Sequence, residues 1–498
     1  MTHGRGKSDG SVVPEKPSNK VGRPIAEGVE GRDPAKGNGV QHNTHRTQSR
    51  NSCVPQALDR VRQVARKDKT VRFTALLHHV TQERLHVAFL ALRRDAAPGV
   101  DGETWEQYAE GIEERLRDLH GRLHRGAYRA KPTRRVFIPK PDGRQRPLGI
   151  AALEDKIVQR AVAEVMNAIY EEDFLGLSYG FRPGRSPHHA LDALATGIRR
   201  KRVNWVLDAD IRGYFDAIDH GWLLRFLEHR IADKRFLRLI QKWLSAGVVE
   251  EGRRSETEQG TPQGATISPL LGNVYLHYVF DLWADRWRRQ HARGDVVIVR
   301  FADDIVIGFQ HRLEAERFWQ DLRERFARFC LELHSEKTRL LEFGGLAASN
   351  RRKRGLGKPE TFDFLGFTHI CGKSKKGRFL LMRKTVRTRM RAKLRAVKTE
   401  LARRRHLSIP QQGAWLGSVV RGHFAYYAVP TNVQALSAFR TEAISHWKRA
   451  LERRSQRGRV SWTRMARLQS RWVPRARILH PWPEQRFDAR TRGRSPVR

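Results

Sequence analysis

The chain has few cysteines, few acidic residues and no long apolar run. Its three cysteines, Cys53, Cys330 and Cys371, lie far apart and never form a CxxC pair, which excludes a disulfide scaffold and a four-cysteine zinc site. No apolar run approaches the ~18 to 20 residues of a membrane-spanning helix. The N-terminus has no apolar signal-peptide core. We therefore expect no membrane partner and a protein that stays in the reducing compartment where it is made.

Acidic residues are far outnumbered by basic ones. The 498 residues include 96 Lys and Arg against 53 Asp and Glu, which gives a formal net charge of +43. Solubility requires much less charge than this, so the expected partner is a polyanion, and nucleic acid is the first candidate. The length also suggests more than one domain.

Composition divides the chain into five segments. Residues 1–70 are rich in Gly, Ser, Asn, Lys and Arg and predict a mostly disordered basic tail. Residues 71–130 show helical spacing, and 131–372 mix short strands with helices in no strict βαβ order. Residues 373–487 are helical and intensely basic, and 488–498 form a short basic tail. The mixture predicts an α+β fold.

Three aspartates lie in or beside segments that otherwise resemble buried strands. Asp303 and Asp304 interrupt the apolar stretch VVIVRFADDIVIGF at 296–309, which predicts a strand, a tight turn and a second strand. Asp210 lies on one face of a further predicted strand within 203–219. A solvated hairpin tip is one interpretation. Strong apolar runs on both sides favour a divalent metal instead, because buried charge needs a partner. Such carboxylates can hold two Mg²⁺ ions ~3.5 to 4 Å apart.

This pattern is similar to that of a known family. The sequence FADD between apolar strands, with DIRGYFDAID upstream, resembles the palm of reverse transcriptases. Further blocks in the same order resemble group II intron reverse transcriptases, also called intron-encoded maturases; they occupy residues 136–162, 178–191, 260–277, 331–343 and 362–367. The resemblance runs from about 71 to 487. It implies a right-hand polymerase, with a helical extension of the fingers at 71–130, fingers and an antiparallel palm sheet at 131–372, and an α-helical thumb and maturase (X) domain at 373–487.

The resemblance also implies the catalytic residues. The metal ligands would be Asp210, Asp303 and Asp304, with the backbone carbonyl of Ile211, and the cofactor would be two Mg²⁺ ions. The neighbouring Asp208 and Asp216 are assigned structural roles.

Nucleotide contacts are expected around these aspartates. A Pro-Asp-Gly turn between two strands would bring Lys140 and Arg146 towards one another, which suits a triphosphate, although an exposed basic turn explains it equally well. Glycines on either side of Gln263 would let the backbone approach a ligand closely. By resemblance Gln263 contacts the nascent base pair, Phe215 excludes a 2′-hydroxyl, and Lys337 lies near the pyrophosphate.

Template and RNA contacts are expected from aromatic and basic residues. The sequence SYGFRPGRS at 178–186 predicts a loop that could hold a template, with contacts from Tyr179, Phe181, Arg182 and Arg185. The stretch 383–405 has one apolar helical stripe and basic residues on its other faces, so Arg387, Arg391 and Arg395 suit a thumb helix along a duplex. In the region that resembles the maturase domain, the RNA contacts are expected from Arg453, Arg454 and Arg457.

These features predict an RNA-directed DNA polymerase and maturase. It would bind its group II intron RNA, assist splicing and copy the intron into DNA during retrohoming, with a DNA target and primer, deoxynucleoside triphosphates and a bacterial cytoplasmic or nucleoid location. Only a short basic tail follows the maturase blocks, so we expect the type that lacks an endonuclease. Two alternatives stay open: an intron-independent cellular reverse transcriptase of the CRISPR-associated or defence type, and a splicing factor without polymerase activity.

Overall fold

The computed structural model describes residues 53–139, 145–250, 252–255, 259–454 and 459–491. The α-helices, in chain order, are α1 Cys53–Lys67, α2 Gln82–Leu90, α3 Trp105–Ala109, α4 Ile112–His124, α5 Leu153–Asp173, α6 Pro187–Arg200, α7 Tyr214–Ala217, α8 His220–Glu228, α9 Lys234–Leu244, α10 Ser268–Leu276, α11 Leu282–His291, α12 Arg312–Ala327, α13 Ala347–Lys353, α14 Arg387–Arg403, α15 Ile409–Tyr427, α16 Val433–Glu452, α17 Trp462–Trp472 and α18 Pro483–Thr491. A 3₁₀ turn, Leu77–His79, precedes α2, and a π-helical turn, His277–Asp281, joins α10 to α11.

The β-strands are β1 Thr133–Pro139, β2 Gln145–Ile150, β3 Trp205–Asp210, β4 Val248–Glu250, β5 Arg253–Ser255, β6 Val296–Phe301, β7 Asp304–Phe309, β8 Arg339–Glu342, β9 Phe362–Phe364, β10 Phe367–Lys373 and β11 Phe379–Thr385. They form three sheets, with strand orders β2-β1-β4-β5, β6-β7-β3-β8 and β11-β10-β9. All neighbouring strands pair antiparallel except β1 and β4. The mixed helical and antiparallel architecture agrees with the predicted α+β class.

The central sheet β6-β7-β3-β8 has helices on both of its faces. On one face, Val206 and Val299 pack with Leu191 and Leu194 of α6 in one hydrophobic core. On the other face, Leu207, Ile298 and Ile307 pack with Phe318 and Leu322 of α12 in a larger core. Because both faces are covered, β6 and β7 are apolar along almost their whole length rather than alternating. In β6 and β7 the acidic residues therefore lie only at the turn that joins the two strands.

The first described helix corrects one prediction. The tail predicted at 1–70 includes α1, whose Leu58, Val61 and Ala65 are buried in the larger core and recur at helical spacing. This apolar stripe packs against α5. Arg60, Arg62, Gln63 and Arg66 are exposed on the other faces of α1, so polar composition alone concealed a packed helix. The remainder of the predicted tail, 1–52, lies outside the described residues.

A second correction concerns the boundary at 372. The prediction of helix from 373 onward is wrong for 379–385, which form β11 and pair with β10 from Phe367↔Thr385 to Lys373↔Phe379. Alternate residues of β11, Leu381, Arg383 and Thr385, are buried, as expected of a strand with one face on a core. The boundary therefore falls within a β-hairpin.

The C-terminal helices form a third core. Val397 and Leu401 of α14 pack with residues of α15, α16 and α17, including Trp415 and Trp447. The last helix, α18, lies against α6, and Phe487 enters the core beside the central sheet. Within the described ranges, no helix is long and apolar enough to cross a membrane.

Candidate active site

The turn between β6 and β7 carries the paired aspartates. Ala302 and Asp303 form the turn, and Asp304 is the first residue of β7. Asp304 lies directly opposite Asp210, the last residue of β3. The predicted strand, turn and strand are confirmed, and the structure brings Asp210, Asp303 and Asp304 together at one end of the central sheet.

The charged forms of Asp303 and Asp304 are disfavoured in their surroundings. Burial, followed by the charges of Asp303, Asp210 and Asp208, raises the pKa of Asp304 to about 8. Burial and the charge of Asp210 also raise the pKa of Asp303, although Arg146 and Lys337 oppose this shift. Like charges opposite one another on adjacent strands destabilise a sheet. The cluster is therefore a place where a cation would be bound favourably.

Asp210 is tied to the segment that precedes β8. Its carboxylate accepts a hydrogen bond from the Lys337 ammonium at 2.7 Å, and its backbone carbonyl accepts one from the His334 amide at 2.8 Å. The next residue, Ile211, is buried and forms a β-bridge with Leu333. Lys337 therefore supplies positive charge at the edge of the carboxylate cluster.

The donor set is suitable for a hard divalent cation. Carboxylate and carbonyl oxygens are the ligands that Mg²⁺ prefers, and the three aspartates bring such oxygens to one end of the central sheet. Among the described residues, no three His, Cys, Asp or Glu side chains already stand grouped as metal ligands. Asp210 pairs instead with Lys337. Metal binding and the contribution of the Ile211 carbonyl remain predictions.

Asp208 and Asp216 occupy different positions. Asp208 lies two residues before Asp210 on β3, and its carboxylate is 3.8 Å from the Arg339 guanidinium. Burial raises the pKa of Asp208 to about 7, with Arg339 opposing the shift. Asp216 is exposed on α7. Neither is in the turn or directly opposite it.

A β-hairpin brings a basic residue close enough to act on Asp303, and a loop packs against this hairpin. The predicted hairpin is confirmed as β1 and β2, which pair with Ile138 opposite Arg146. Arg146 is exposed and its charge acts on Asp303. Lys140 lies outside the described residues.

The loop that carries Gln263 packs closely against its neighbours. A Cβ on Gly264 would be 2.7 Å from the Gly149 carbonyl oxygen of β2, and the Gly149 amide donates to the Gln263 carbonyl at 2.6 Å. Only glycine allows so close an approach. The Thr261 amide donates to the Phe215 carbonyl at 2.7 Å. Gln263 and Phe215 are thus held as parts of one assembly, and both are half-buried.

Comparison with known proteins identifies this assembly. Residues 138–369 match the family described as reverse transcriptase (RNA-dependent DNA polymerase). The chain is 39% identical over 238 residues to Protein YkfC of Escherichia coli (strain K12), covering 46% of this chain and 62% of YkfC. It is 35% identical over 223 residues to the group II intron-encoded protein LtrA of Lactococcus lactis subsp. cremoris, covering 44% of this chain and 37% of LtrA.

Residues 138–369 are thus similar to the reverse transcriptases, and the chain is similar to a group II intron-encoded protein. A further relative, nuclear intron maturase 2, mitochondrial, of Arabidopsis thaliana, is 30% identical over 112 residues, covering 21% of this chain and 15% of that protein. The resemblance read from the sequence is therefore confirmed. The chain spans less than two thirds of the length of YkfC and of LtrA.

The structure corrects part of the predicted template cradle. Arg182 is 2% exposed, and its guanidinium is paired with Glu171 and with the carbonyls of Leu175 and Ser178. Tyr179 is also buried, in the core beside the sheet. The prediction that these two residues contact a template is wrong, since Arg182 anchors the end of α5 and Tyr179 fills a core.

The other two residues of the predicted cradle are more accessible. Phe181 is half-buried, with a backbone φ of 56°, and its ring lies 6.3 Å from that of Phe301. The Arg185 guanidinium lies over the ring of Tyr179 and donates to the Gly176 carbonyl at 3.1 Å. Their contact with a template stays a prediction.

The basic residues assigned to the C-terminal region lie on helices. Arg387, Arg391 and Arg395 are exposed on α14, and the predicted apolar stripe of that helix faces the third core. Arg453 and Arg454 are exposed at the end of α16. Arg457 lies outside the described residues.

Two arginines near the site were not predicted from the sequence to have a role there. The positive charge of Arg389 in α14 opposes the rise in the pKa of Asp304, so the basic helix lies near the carboxylates. Arg300 lies buried three residues before Asp303. A single Arg within the apolar run of β6 was the signal that could have drawn attention to it.

Proposed function

We propose that the chain is an RNA-directed DNA polymerase and maturase that acts on group II intron RNA. The observation that carries this proposal is the meeting of Asp210, Asp303 and Asp304 at one end of the central sheet, where Asp304 lies directly opposite Asp210. The match of residues 138–369 to the reverse transcriptase family supports the activity. The name of LtrA supports the intron as the RNA partner.

The three carboxylates, with the Ile211 carbonyl, would hold two Mg²⁺ ions. Bound there, the pair would activate the primer 3′-oxygen and stabilise charge on the leaving pyrophosphate. The Asp210 carboxylate would exchange its contact with Lys337 for a metal contact. The Lys337 ammonium, 2.7 Å from Asp210, then lies close enough to the cluster to donate a proton to the pyrophosphate.

The incoming deoxynucleoside triphosphate would lie between the β1–β2 hairpin and the carboxylates. Arg146, with the predicted help of Lys140, would neutralise its phosphates, since guanidinium groups form strong charge-assisted hydrogen bonds to them. Phe215 would lie under the sugar and Gln263 beside the base. The Thr261–Phe215 hydrogen bond keeps these two contacts in a fixed relation.

The helices after β11 would form the thumb and the maturase domain. The exposed Arg387, Arg391 and Arg395 on α14 would follow the backbone of the RNA–DNA duplex, and Arg453 and Arg454 would contact the intron. Contacts to phosphates give affinity without sequence preference. A DNA target and a primer would be the remaining partners during retrohoming, in the bacterial cytoplasm or nucleoid.

The decisive test is primer extension by the purified protein on an RNA template with Mg²⁺ and deoxynucleotides. Asp303→Asn should abolish extension while leaving binding of the primed template intact, because it removes one carboxylate charge and little volume. Asp295→Asn is the matched control, since Asp295 precedes the same strand at its opposite end and pairs with Lys201. The control should extend the primer. Extension by Asp303→Asn at the wild-type rate would refute the assignment, and so would a wild-type protein that extends no primer.

A further inference from the structure

Arg300 has no exposed surface although it carries a full charge. It lies in β6 directly before Phe301, and its side chain is 0% exposed. A guanidinium has five N–H donors in a fixed fork, and here all five find acceptors. The acceptors are both carboxylate oxygens of Asp281, the Ser178 hydroxyl, the Asn273 side-chain carbonyl and the Ala302 carbonyl.

One side of the guanidinium is anchored to the helix behind the sheet. Nε and Nη2 donate to Asp281 at 2.7 and 2.6 Å, and Asp281 is itself 0% exposed. Asp281 ends the π-helical turn His277–Asp281. Such turns are rare and frequently occur at functional sites. The irregular turn thus supplies the fixed carboxylate against which Arg300 is oriented.

The other side of the guanidinium holds the turn that carries Asp303. Nη1 donates to the Ala302 carbonyl at 3.0 Å and to the Asn273 side chain at 2.9 Å. The Asn273 amide donates in turn to the Gly180 carbonyl at 2.7 Å. Gly180 lies so close to the turn that a Cβ on it would clash with the Ala302 backbone. The turn is therefore fixed from behind by one charged side chain and one glycine.

The backbone of the turn needs such support. Ala302 has a φ of 56°, a left-handed conformation that is unfavourable for an L-residue with a side chain. Residues of this kind persist where the surrounding structure over-determines them, and they cluster at functional sites. The Arg300–Ala302 hydrogen bond is the polar contact made to this strained peptide.

We propose that Arg300 is a positioning residue for the catalytic turn. By holding the Ala302 carbonyl, it keeps Ala302 left-handed and so directs Asp303 towards Asp210. Stability alone does not require this arrangement, because a well-packed apolar pair is often at least as stable as a buried ion pair. The inference rests on the proposed function, since it concerns the geometry of the same carboxylates.

The first test is Arg300→Lys, which keeps the charge but offers three donors in place of five. Insertion of a single nucleotide at saturating substrate should slow about 100-fold, since small displacements of reacting groups have effects of this size. Affinity for the primed template should stay at the wild-type value. Arg383→Lys is the matched control: Arg383 is equally buried and pairs with Asp192, away from the turn. The control should insert nucleotides at close to the wild-type rate.

A second-site change separates positioning from general stabilisation. Glycine adopts positive φ without strain, so Ala302→Gly added to Arg300→Lys should recover several-fold of the lost insertion rate. A folded Arg300→Lys protein that inserts at the wild-type rate would overturn the proposal. A loss equal to that of Arg383→Lys, with no recovery on adding Ala302→Gly, would also overturn it.

Amide hydrogen exchange tests the same claim without requiring activity. Arg300→Lys should speed exchange in the peptide 296–309 and leave exchange in a peptide from α12 unchanged. Asn273→Ala should speed exchange in 296–309 more weakly, and it replaces Arg300→Lys in this test if that variant does not fold. Unchanged exchange at 296–309 in both variants would refute the positioning role. A wild-type protein that shows this exchange difference but extends no primer would contradict the proposed function and leave the role of Arg300 in the turn supported.

Discussion

The Lys337 ammonium donates a hydrogen bond to the Asp210 carboxylate across 2.7 Å. The two residues belong to neighbouring segments, since Asp210 ends β3 and Lys337 lies just before β8. The contact is reinforced by the backbone hydrogen bond from His334 to Asp210 at 2.8 Å. A cationic side chain is therefore held at the carboxylate cluster, where a reaction that releases pyrophosphate would need a proton.

Replacing this lysine should separate charge from proton donation. Lys337→Met is expected to slow nucleotide insertion about 100-fold, the lower range for loss of a general acid. Lys337→Arg keeps the positive charge beside Asp210, but arginine does not give up its proton, so it should restore nucleotide affinity without restoring the rate. Single-turnover insertion measured over a range of nucleotide concentrations gives both quantities. Full recovery of the rate in Lys337→Arg would exclude proton donation by Lys337.

Sugar selection should depend on Phe215. Phe215→Val would open space beneath C2′ and raise incorporation of ribonucleotides relative to deoxynucleotides by ~10- to 100-fold, the discrimination that a small steric difference supports. Phe215→Tyr keeps the ring and is the control, which should discriminate as the wild type does. The measurement is kcat/KM for each nucleotide with the same primed template. If the folded Val variant selects deoxynucleotides normally, another residue excludes the ribose.

Local patterns in the sequence predicted much of this site. The apolar runs of β6 and β7 with two adjacent aspartates were sufficient to predict the hairpin and its turn. The alternation along β3 placed Asp210 on a defined face, and the Pro-Asp-Gly signal located the β1–β2 hairpin. Each of these patterns lies within about twenty consecutive residues.

The sequence did not predict which basic residues turn inward. Arg182 lies in a predicted loop, as many surface arginines do, and its acceptor Glu171 belongs to α5. Arg300 is distinguished by its apolar neighbours, but its acceptor Asp281 belongs to a π-helical turn that the sequence did not predict. A buried arginine is recognisable only when its partner is known. The helix α1 was missed for the same reason, since its few apolar residues are recognisable as core residues only when their packing partner α5 is known.

The contact between α18 and α6 should depend on one buried carboxylate. Asp192 is 1% exposed and pairs with Arg383 of β11 and Arg486 of α18. Asp192→Ala would leave two guanidinium groups without this partner, and the loss of one member of a buried ion pair costs about 3 to 5 kcal/mol of unfolding free energy. Urea unfolding of the full chain measures this cost.

The matched control for Asp192 joins the same two helices. Asp488→Ala breaks the exposed pair with Arg200, and exposed pairs contribute no more than about 1 kcal/mol. Equal losses in the two variants would show that the buried carboxylate has no special part in holding α18 on α6.

Acid should destabilise the fold through buried histidines. Burial, with Arg383 adding to it, lowers the pKa of His369 to about 3, and burial with Lys393 lowers that of His423 to about 3. An unfolded histidine titrates near 6.5, so the unfolded chain binds more protons between these values. The stability that each neutral ring contributes is complete above about pH 6.5 and is lost as pH falls towards 3. At pH 5 the loss is about 2 kcal/mol for each histidine.

A glutamine in place of a buried histidine should flatten this pH dependence. His369→Gln removes the titrating ring, so its melting temperature should fall less than that of the wild type between pH 7.5 and pH 5. His406→Gln is the control, because His406 is exposed on the loop after α14. A wild-type slope retained by His369→Gln would assign the acid sensitivity to other groups.

Splicing and copying should depend on different parts of the chain. Copying needs the palm carboxylates, whereas splicing requires only that the protein hold a folded RNA by its phosphates. Arg453→Glu with Arg454→Glu should weaken intron binding and protein-assisted splicing at moderate Mg²⁺. It should also reduce the salt dependence of the binding constant by about one to two units of slope. Copying of a generic primed template should change little, because α16 ends far along the chain from the palm. Arg286→Glu with Arg293→Glu makes the same change in charge at and just after α11 and controls for a general electrostatic effect.

Asp303→Asn should show the opposite pattern, with splicing retained and copying lost. If Asp303→Asn lost splicing as fully as the arginine variant while still binding the intron, the two activities would share one site.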